Sequence, residues 1–191
     1  IPPCTGLAEH KDIDHIDEVC RRFIEMSPFL LIATRGADGK LDVSPRGDPA
    51  GFVEVLDRKT LAIPDRPGNN RLDTLENVLV HPELSLILLI PGKGDTLRIS
   101  GNGQVVRDAA LSRRLAVNGR APELILVVAV SQAFTHCTKC MVRSGLWRTD
   151  TWPDLTTAPT HAEIVIAHAK PKMTNREVED LIEDDRRRNL Y

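Results

Sequence analysis

The sequence predicts a mainly β, α+β fold: an antiparallel sheet closing into a small barrel, with peripheral helices. Three observations carry this expectation. Short apolar runs recur from Phe29 to Val130, enough for roughly six or seven strands. Most are joined by hairpin-like turns such as Gly36-Ala37-Asp38-Gly39 and Asp57-Arg58-Lys59, which makes their pairing antiparallel. Gly101 and Gly103 interrupt the longest run, and glycine inside a strand marks a bulge or a sharp bend at a barrel corner.

Ile13, Ile16, Val19, Cys20, Phe23 and Ile24 repeat at helical spacing, and Asp12 or Asp14 can cap the start. A helix is expected over Asp14–Met26, with Cys20 on its apolar face; Pro28 ends the pattern. Phe29–Thr34 and Leu41–Ser44 flank the first turn, and Phe52–Leu56 and Thr60–Ile63 flank the second. Leu72, Leu75, Val78 and Leu79 set a helix over Asn70–Val80, ended by Pro82. Leu84–Ile90 is continuously apolar and is expected to be buried on both faces. After a turn at Pro91–Asp95, Thr96–Arg107 reads as a longer, more polar strand, Ala109–Val117 as a short helix and Leu124–Val130 as the last strong strand. Beyond it the character changes. Thr149–Pro159 is rich in Thr, Pro and Asp and reads as loop, and Ala162–Ala169 suits a short helix. Thr174-Asn175-Arg176-Glu177 has capping-box spacing and opens a helix toward Arg188. The expected organisation is an N-terminal helical segment over 1–27, a barrel domain over 28–150 and a loop and helical appendage over 151–191.

Composition sets mild bounds. A chain of 191 residues buries roughly 70% of its unfolded surface, enough for a full core. A formal net charge of −2 gives no electrostatic footprint for nucleic acid or an anionic membrane, so neither is an expected partner. No apolar run approaches the roughly 20 residues of a membrane span. Ile1-Pro2-Pro3-Cys4 lacks a signal peptide's basic and apolar regions, and four cysteines do not form a disulfide framework, so a cytoplasmic location is expected.

Three clusters could carry chemistry. The first is Ser44-Pro45-Arg46-Gly47-Asp48, followed by Pro64-Asp65-Arg66-Pro67-Gly68-Asn69-Asn70-Arg71 and then Asp73, Thr74 and Asn77. Polar and turn-forming residues at strand ends and a helix start can cradle a phosphorylated cofactor through outward N–H groups and Arg forks. Arg66, Asn69, Asn70, Arg71 and Thr74 would hold the phosphate. The bland alternative is an ordinary Asp-Arg-Pro-Gly-Asn turn with a capped helix. No P-loop and no strand–GxGxxG–helix is present, which disfavours the usual nucleotide folds. The second cluster is His136-Cys137-Thr138-Lys139-Cys140. A lone Cys-x-x-Cys suggests zinc or a redox pair, but structural zinc needs four ligands and a thioredoxin-type role needs a preceding βαβ unit; the two thiols are therefore read as packing residues. The third cluster, Lys139, Arg143, Ser144 and Trp147, reads as a wall for a charged, planar ligand, or as surface charge beside a core Trp. No carboxylate pair or Gly-x-Ser-x-Gly elbow stands out, and no catalytic acid or base is assigned.

Several of these segments recur in one order in a known group. Ser44-Pro45-Arg46-Gly47-Asp48, Gly51-Phe52, Pro64 through Leu72, Ile90-Pro91-Gly92, Leu97-Arg98-Ile99-Ser100-Gly101 and Cys140-x-x-Arg143-Ser144-x-x-Trp147 resemble the flavin-binding proteins related to pyridoxamine 5′-phosphate oxidase. The resemblance covers about residues 15–150. It implies a split β-barrel that forms a homodimer and binds FMN at the subunit interface. It places Ser44, Pro45, Arg46 and Gly47 along the isoalloxazine ring and has Ile63, Pro64 and Asp65, at the end of the fourth strand, touch the ring as well. It places Arg66, Asn70 and Arg71 on the phosphate, and Lys139, Arg143 and Trp147 in a wall supplied by the second protomer. The Arg-Leu-x-Pro and Arg-x-His segments that hold substrate in pyridoxamine phosphate oxidases proper do not occur here, so that oxidation itself is not the expectation. The expected function is an FMN-dependent oxidoreductase acting on a small-molecule substrate or electron donor through flavin N5. The alternatives are a noncatalytic flavin- or haem-binding protein and, from the Cys-x-x-Cys alone, a zinc-containing interaction module.

Overall fold

The computed structural model describes Gly6, residues 10–68 and residues 71–190. The described residues divide into two compact units. The first holds those up to Asp65 together with Arg71–Trp147; the second holds 66–68 and 148–190.

The first unit is built on one antiparallel sheet. Its strands are β1 (Phe29–Arg35), β2 (Leu41–Gly47), β3 (Glu54–Asp57), β4 (Thr60–Pro64), β5 (Glu83–Leu89), β6 (Thr96–Val106) and β7 (Ile125–His136), in the order β2-β1-β5-β6-β7-β4-β3. The predicted α+β antiparallel class is what is found. No ladder joins β2 to β3 among the described residues, so the hydrogen-bonded sheet stays open at that seam.

The β6–β7 hairpin is the spine of this unit. The first half of β6 pairs with β5, while the first half of β7 pairs with β4, so the two flanking groups of strands leave the hairpin at opposite ends. The register shifts between Ser100 and Gly101, as the glycine pattern predicted. A Cβ on Gly101 would run into the Ala129 carbonyl, and one on Gly103 would lie 2.8 Å from Leu84 Cδ2 and 3.0 Å from Leu126 Cδ1. Only glycine lets the two backbones close up at this bend.

The main core lies on one face of the sheet. Leu30, Ile32, Leu86, Leu88, Leu97, Ile99 and Val128 are buried there with Ile16, Phe23 and Ile24 from the N-terminal segment. Helix α1 (Glu18–Met26) is capped by Asp17, which accepts from the Cys20 amide at 2.8 Å, so it begins later than the spacing predicted. Asp14 is drawn instead to Lys59 and His15. Cys20 is buried, as expected. Helix α2 (Asp73–Val80) packs Val78 into the same core. Helix α3 (Ala109–Arg114) covers the opposite face with Leu111 and Leu115 against Ala62 and Ile125. β4 is thus the strand buried on both faces. β5 is not, because Ser85, Ile87 and Leu89 on its outer face are only half-buried, which corrects the expectation for Leu84–Ile90. Helix α4 (Lys139–Ser144) follows β7 and buries no residue.

In the second unit, helix α5 (His161–Ala169) packs with α6 (Asn175–Asn189). Each starts with a complete capping box, Thr160/Glu163 and Thr174/Glu177; only the second was read from spacing. No helix among the described residues is long and apolar enough to cross a membrane.

Candidate functional site

β2 is a free edge of the sheet, and its residues alternate sharply. Leu41, Val43, Pro45 and Gly47 face outward and are exposed, while Asp42, Ser44 and Arg46 are half-buried. Pairing sets Asp42, Ser44 and Arg46 beside Thr34, Ile32 and Leu30, all buried. A polar stripe therefore lies on the core face of an edge strand. Polar groups in such a place are costly unless something satisfies them. Ser44 Oγ donates to Asp42 Oδ2 at 3.0 Å, and Arg46 folds back to donate to the Pro45 carbonyl at 2.9 Å. The edge position also explains how Pro45 sits inside a strand, since an edge needs no outward N–H partner there.

Four strands separate β2 from β4 in the sheet order. A flat sheet would hold them about 24 Å apart, where water and salt erase a charge interaction. Yet the Arg46 charge acts on the Asp65 carboxyl. Burial pushes the Asp65 carboxyl above its usual value, and Arg46 pulls it back down. The Asp65 amide donates to the Leu124 carbonyl at 3.0 Å, which fixes the backbone at this point. Ile63 and Pro64 are buried just before it.

α2 lies along the same strands. Asn77 Nδ2 donates to Thr34 Oγ1 at 3.0 Å, linking the helix to the row of the stripe. The helix start has no side-chain cap: Leu72 occupies the N-cap position. Arg71 reaches forward to Asp73, with Nε and Nη2 at 2.9 and 2.7 Å from Oδ2. Thr74 is buried, and among the described residues its Oγ1 has no hydrogen-bond partner. Arg66 is half-buried and falls in the second unit, and Asn69 and Asn70 lie outside the described residues.

Lys139 and Arg143 are exposed on α4. Trp147 is half-buried, and its Nε1 donates to the Lys93 carbonyl in the β5–β6 turn at 2.8 Å. Pro64 pairs with Ile125, whereas α4 begins only after His136 at the far end of β7. That length of strand spans roughly 25–35 Å, allowing for the bend. So within one chain Ser44 and Arg46 share the core face of β2, the Arg46 charge acts on Asp65, and α4 stands a strand's length from the end of β4. Cys137 and Cys140 are exposed, which corrects their reading as packing residues, and no group of three His, Cys, Asp or Glu able to hold a metal occurs among the described residues.

Asp42 and Thr34 were not singled out from the sequence. Their signal was present: 42, 44, 46 and 48 are polar at strict strand alternation, and Thr34 closes an otherwise apolar run.

Comparisons with known proteins follow from this geometry. The family model described as pyridoxamine 5′-phosphate oxidase matches residues 16–137. None of the curated proteins compared with the chain matches it. Among solved structures, a putative pyridoxamine 5′-phosphate oxidase from Lactobacillus delbrueckii is similar with a TM-score of 0.52 and 17% identity, covering 65% of this chain and 98% of its own. HupZ of Group A Streptococcus is similar with a TM-score of 0.52 and 14% identity, covering 63% of this chain and 93% of its own. At such identities these likenesses speak for the fold alone.

Proposed function

This chain belongs to the pyridoxamine 5′-phosphate oxidase family, and on that premise we propose that it binds FMN at a site completed by a second copy of itself and acts as an FMN-dependent oxidoreductase on a small-molecule substrate or electron donor. When bound, FMN supplies hydride or electron transfer through N5 of its ring. The observation that carries the reading is the polar stripe of β2: Ser44 and Arg46 on the core face of a free edge, within electrostatic reach of Asp65.

The residues present fit such a group. An edge strand offers a row of unpaired backbone donors and acceptors, which suits the polar rim of a planar heterocycle. Ser44 and Arg46 add a hydroxyl and a cation to that row. At the start of α2, the uncapped amides and the Arg71 guanidinium, steadied by Asp73, suit a phosphate. Thr74 keeps a buried hydroxyl in the first turn of the same helix, with no partner among the described residues. Ile63 and Pro64 close off water beneath the ring edge, and the Asp65 carboxyl, raised by burial, is the titratable group there.

Lys139, Arg143 and Trp147 supply the second wall from the partner chain. The strand length between the end of β4 and α4 favours this over a wall from the same chain. A twofold axis then gives two equivalent sites.

Denaturing the purified protein and chromatographing the released flavin tests the cofactor: FMN in proportion to chains is expected, and stoichiometric FAD or no uptake of FMN refutes it. Mixing Arg71→Ala chains with Trp147→Ala chains tests the shared site. In the mixed dimer one pocket carries both lesions and the other carries none, so about half its sites should bind FMN as the native protein does. If subunit exchange is confirmed and no native-like binding returns, the shared-site arrangement is wrong.

A further inference from the structure

We propose that Cys137 and Cys140 form a surface dithiol that closes reversibly to an intrachain disulfide by exchange with a low-molecular-weight disulfide. Geometry, exposure and local charge carry this together, independently of the flavin reading.

The two thiols stand one helical turn apart. Thr138 has helical dihedrals, φ −71° and ψ −10°, and the Val142 amide donates to its carbonyl at 3.0 Å. The turn is therefore wound from Thr138 onward, and a turn holds residues three apart at a Cα separation of about 5 Å, inside the range that a disulfide spans. The Cys140 side chain leans back along the helix, with Sγ 4.0 Å from the Cys137 carbonyl oxygen. Both thiols are exposed, so an attacking small molecule can reach them.

The surroundings favour thiol chemistry over the other uses of a Cys-x-x-Cys. Zinc is not supported, because no third ligand joins the pair among the described residues. From His136 to Trp147 the chain carries Lys139 and Arg143 and no Asp or Glu, a positive surface that attracts a small anionic disulfide. The adjacent β5–β6 turn, which meets Thr138 at Gly94, brings Lys93 and Asp95 already paired at 3.0 Å. Cys20 offers the contrast: it is buried in the core, and burial pushes its thiol up to about 11.

The exchange balances without further reagents. One thiolate attacks a sulfur of the small disulfide, forms a mixed disulfide and expels the first small thiolate. The second protein thiol gives up its proton, attacks the protein sulfur of the mixed disulfide and expels the second small thiolate. Two electrons pass from the protein pair to the small disulfide, and the two protons end on the released thiols or in water. The product locks the first turn of α4, the element that carries Lys139 and Arg143.

The test uses the full chain with Cys4→Ser, since Cys4 lies outside the described residues. It is equilibrated with defined ratios of reduced and oxidised glutathione, quenched with acid, alkylated with a maleimide and mapped by mass spectrometry. Cys137 and Cys140 should lose alkylation together in one transition, with the loss of two hydrogens and no added glutathione, while Cys20 stays reduced. Cys140→Ser should instead hold one glutathione on Cys137. The proposal is overturned if the unsubstituted pair carries stable glutathione at ratios where Cys140→Ser does. It is equally overturned if the pair stays reduced throughout, or if it links two chains in place of closing on itself.

Discussion

Arg71→Ala separates a phosphate contact from a structural one. The guanidinium is tied to Asp73 through Nε and Nη2, and the side chains are 74% and 41% exposed. An ion pair so exposed contributes about 0–1 kcal/mol to folding, so the substitution should leave the melting temperature nearly unchanged. Its effect on the ligand is larger. A charge-assisted hydrogen bond is worth about 1.5–3 kcal/mol, and solvent access places this one at the lower end. A loss of about 1.5 kcal/mol is roughly a tenfold weaker FMN complex. Riboflavin lacks the phosphate and should bind the variant and the parent alike. Titration of both ligands by quenching of flavin fluorescence gives the two constants side by side. Equal weakening of FMN and riboflavin by Arg71→Ala would refute the reasoning and make Arg71 a structural or ring-contacting residue.

Other expectations follow from single positions. Gly101→Ala should cost about 3 kcal/mol or more in chemical denaturation, because its Cβ meets the Ala129 backbone carbonyl, which cannot move aside. Gly103→Ala meets side-chain carbons of Leu84, Leu126 and Val78 and should cost about 1–3 kcal/mol; the reverse order of the two would contradict the bend. Asp65 has its folded carboxyl raised by burial, with Arg46 opposing, so ionisation weighs against the fold once pH rises above the ordinary aspartate value of 3.8. Asp65→Asn should therefore stabilise the flavin-free protein near neutral pH and lose that gain as pH falls toward 3.8, which thermal melts across pH will show; a gain that grows on acidification would reverse the assigned sign.

What could be read from the sequence was mostly what neighbouring residues decide among themselves. The Thr174–Glu177 capping box and the glycine bend needed only local spacing, and both are found where the spacing put them. What failed depended on partners far along the chain. Asp14 was read as a cap by spacing, but Lys59 sits 2.8 Å from it, and Asp17 caps a helix that starts at Glu18, four residues later than expected. β2 runs on through Pro45 because the sheet order makes it an edge, a fact no short window contains. β7 continues past Val130 to His136 because the first half of β6 needs a partner there. The same distinction bears on the cradle. By spacing, a phosphate site and a capped turn looked alike. In the structure the N-cap residue of α2, Leu72, makes no side-chain cap, and Arg71 is held forward by Asp73. The first turn of a helix needs something to take its first amides, and here the residue at the N-cap is Leu72, whose side chain has no acceptor to offer. That favours an acceptor that comes from outside the helix, with water or an anion as the competing occupants, and the comparison of FMN with riboflavin discriminates between them.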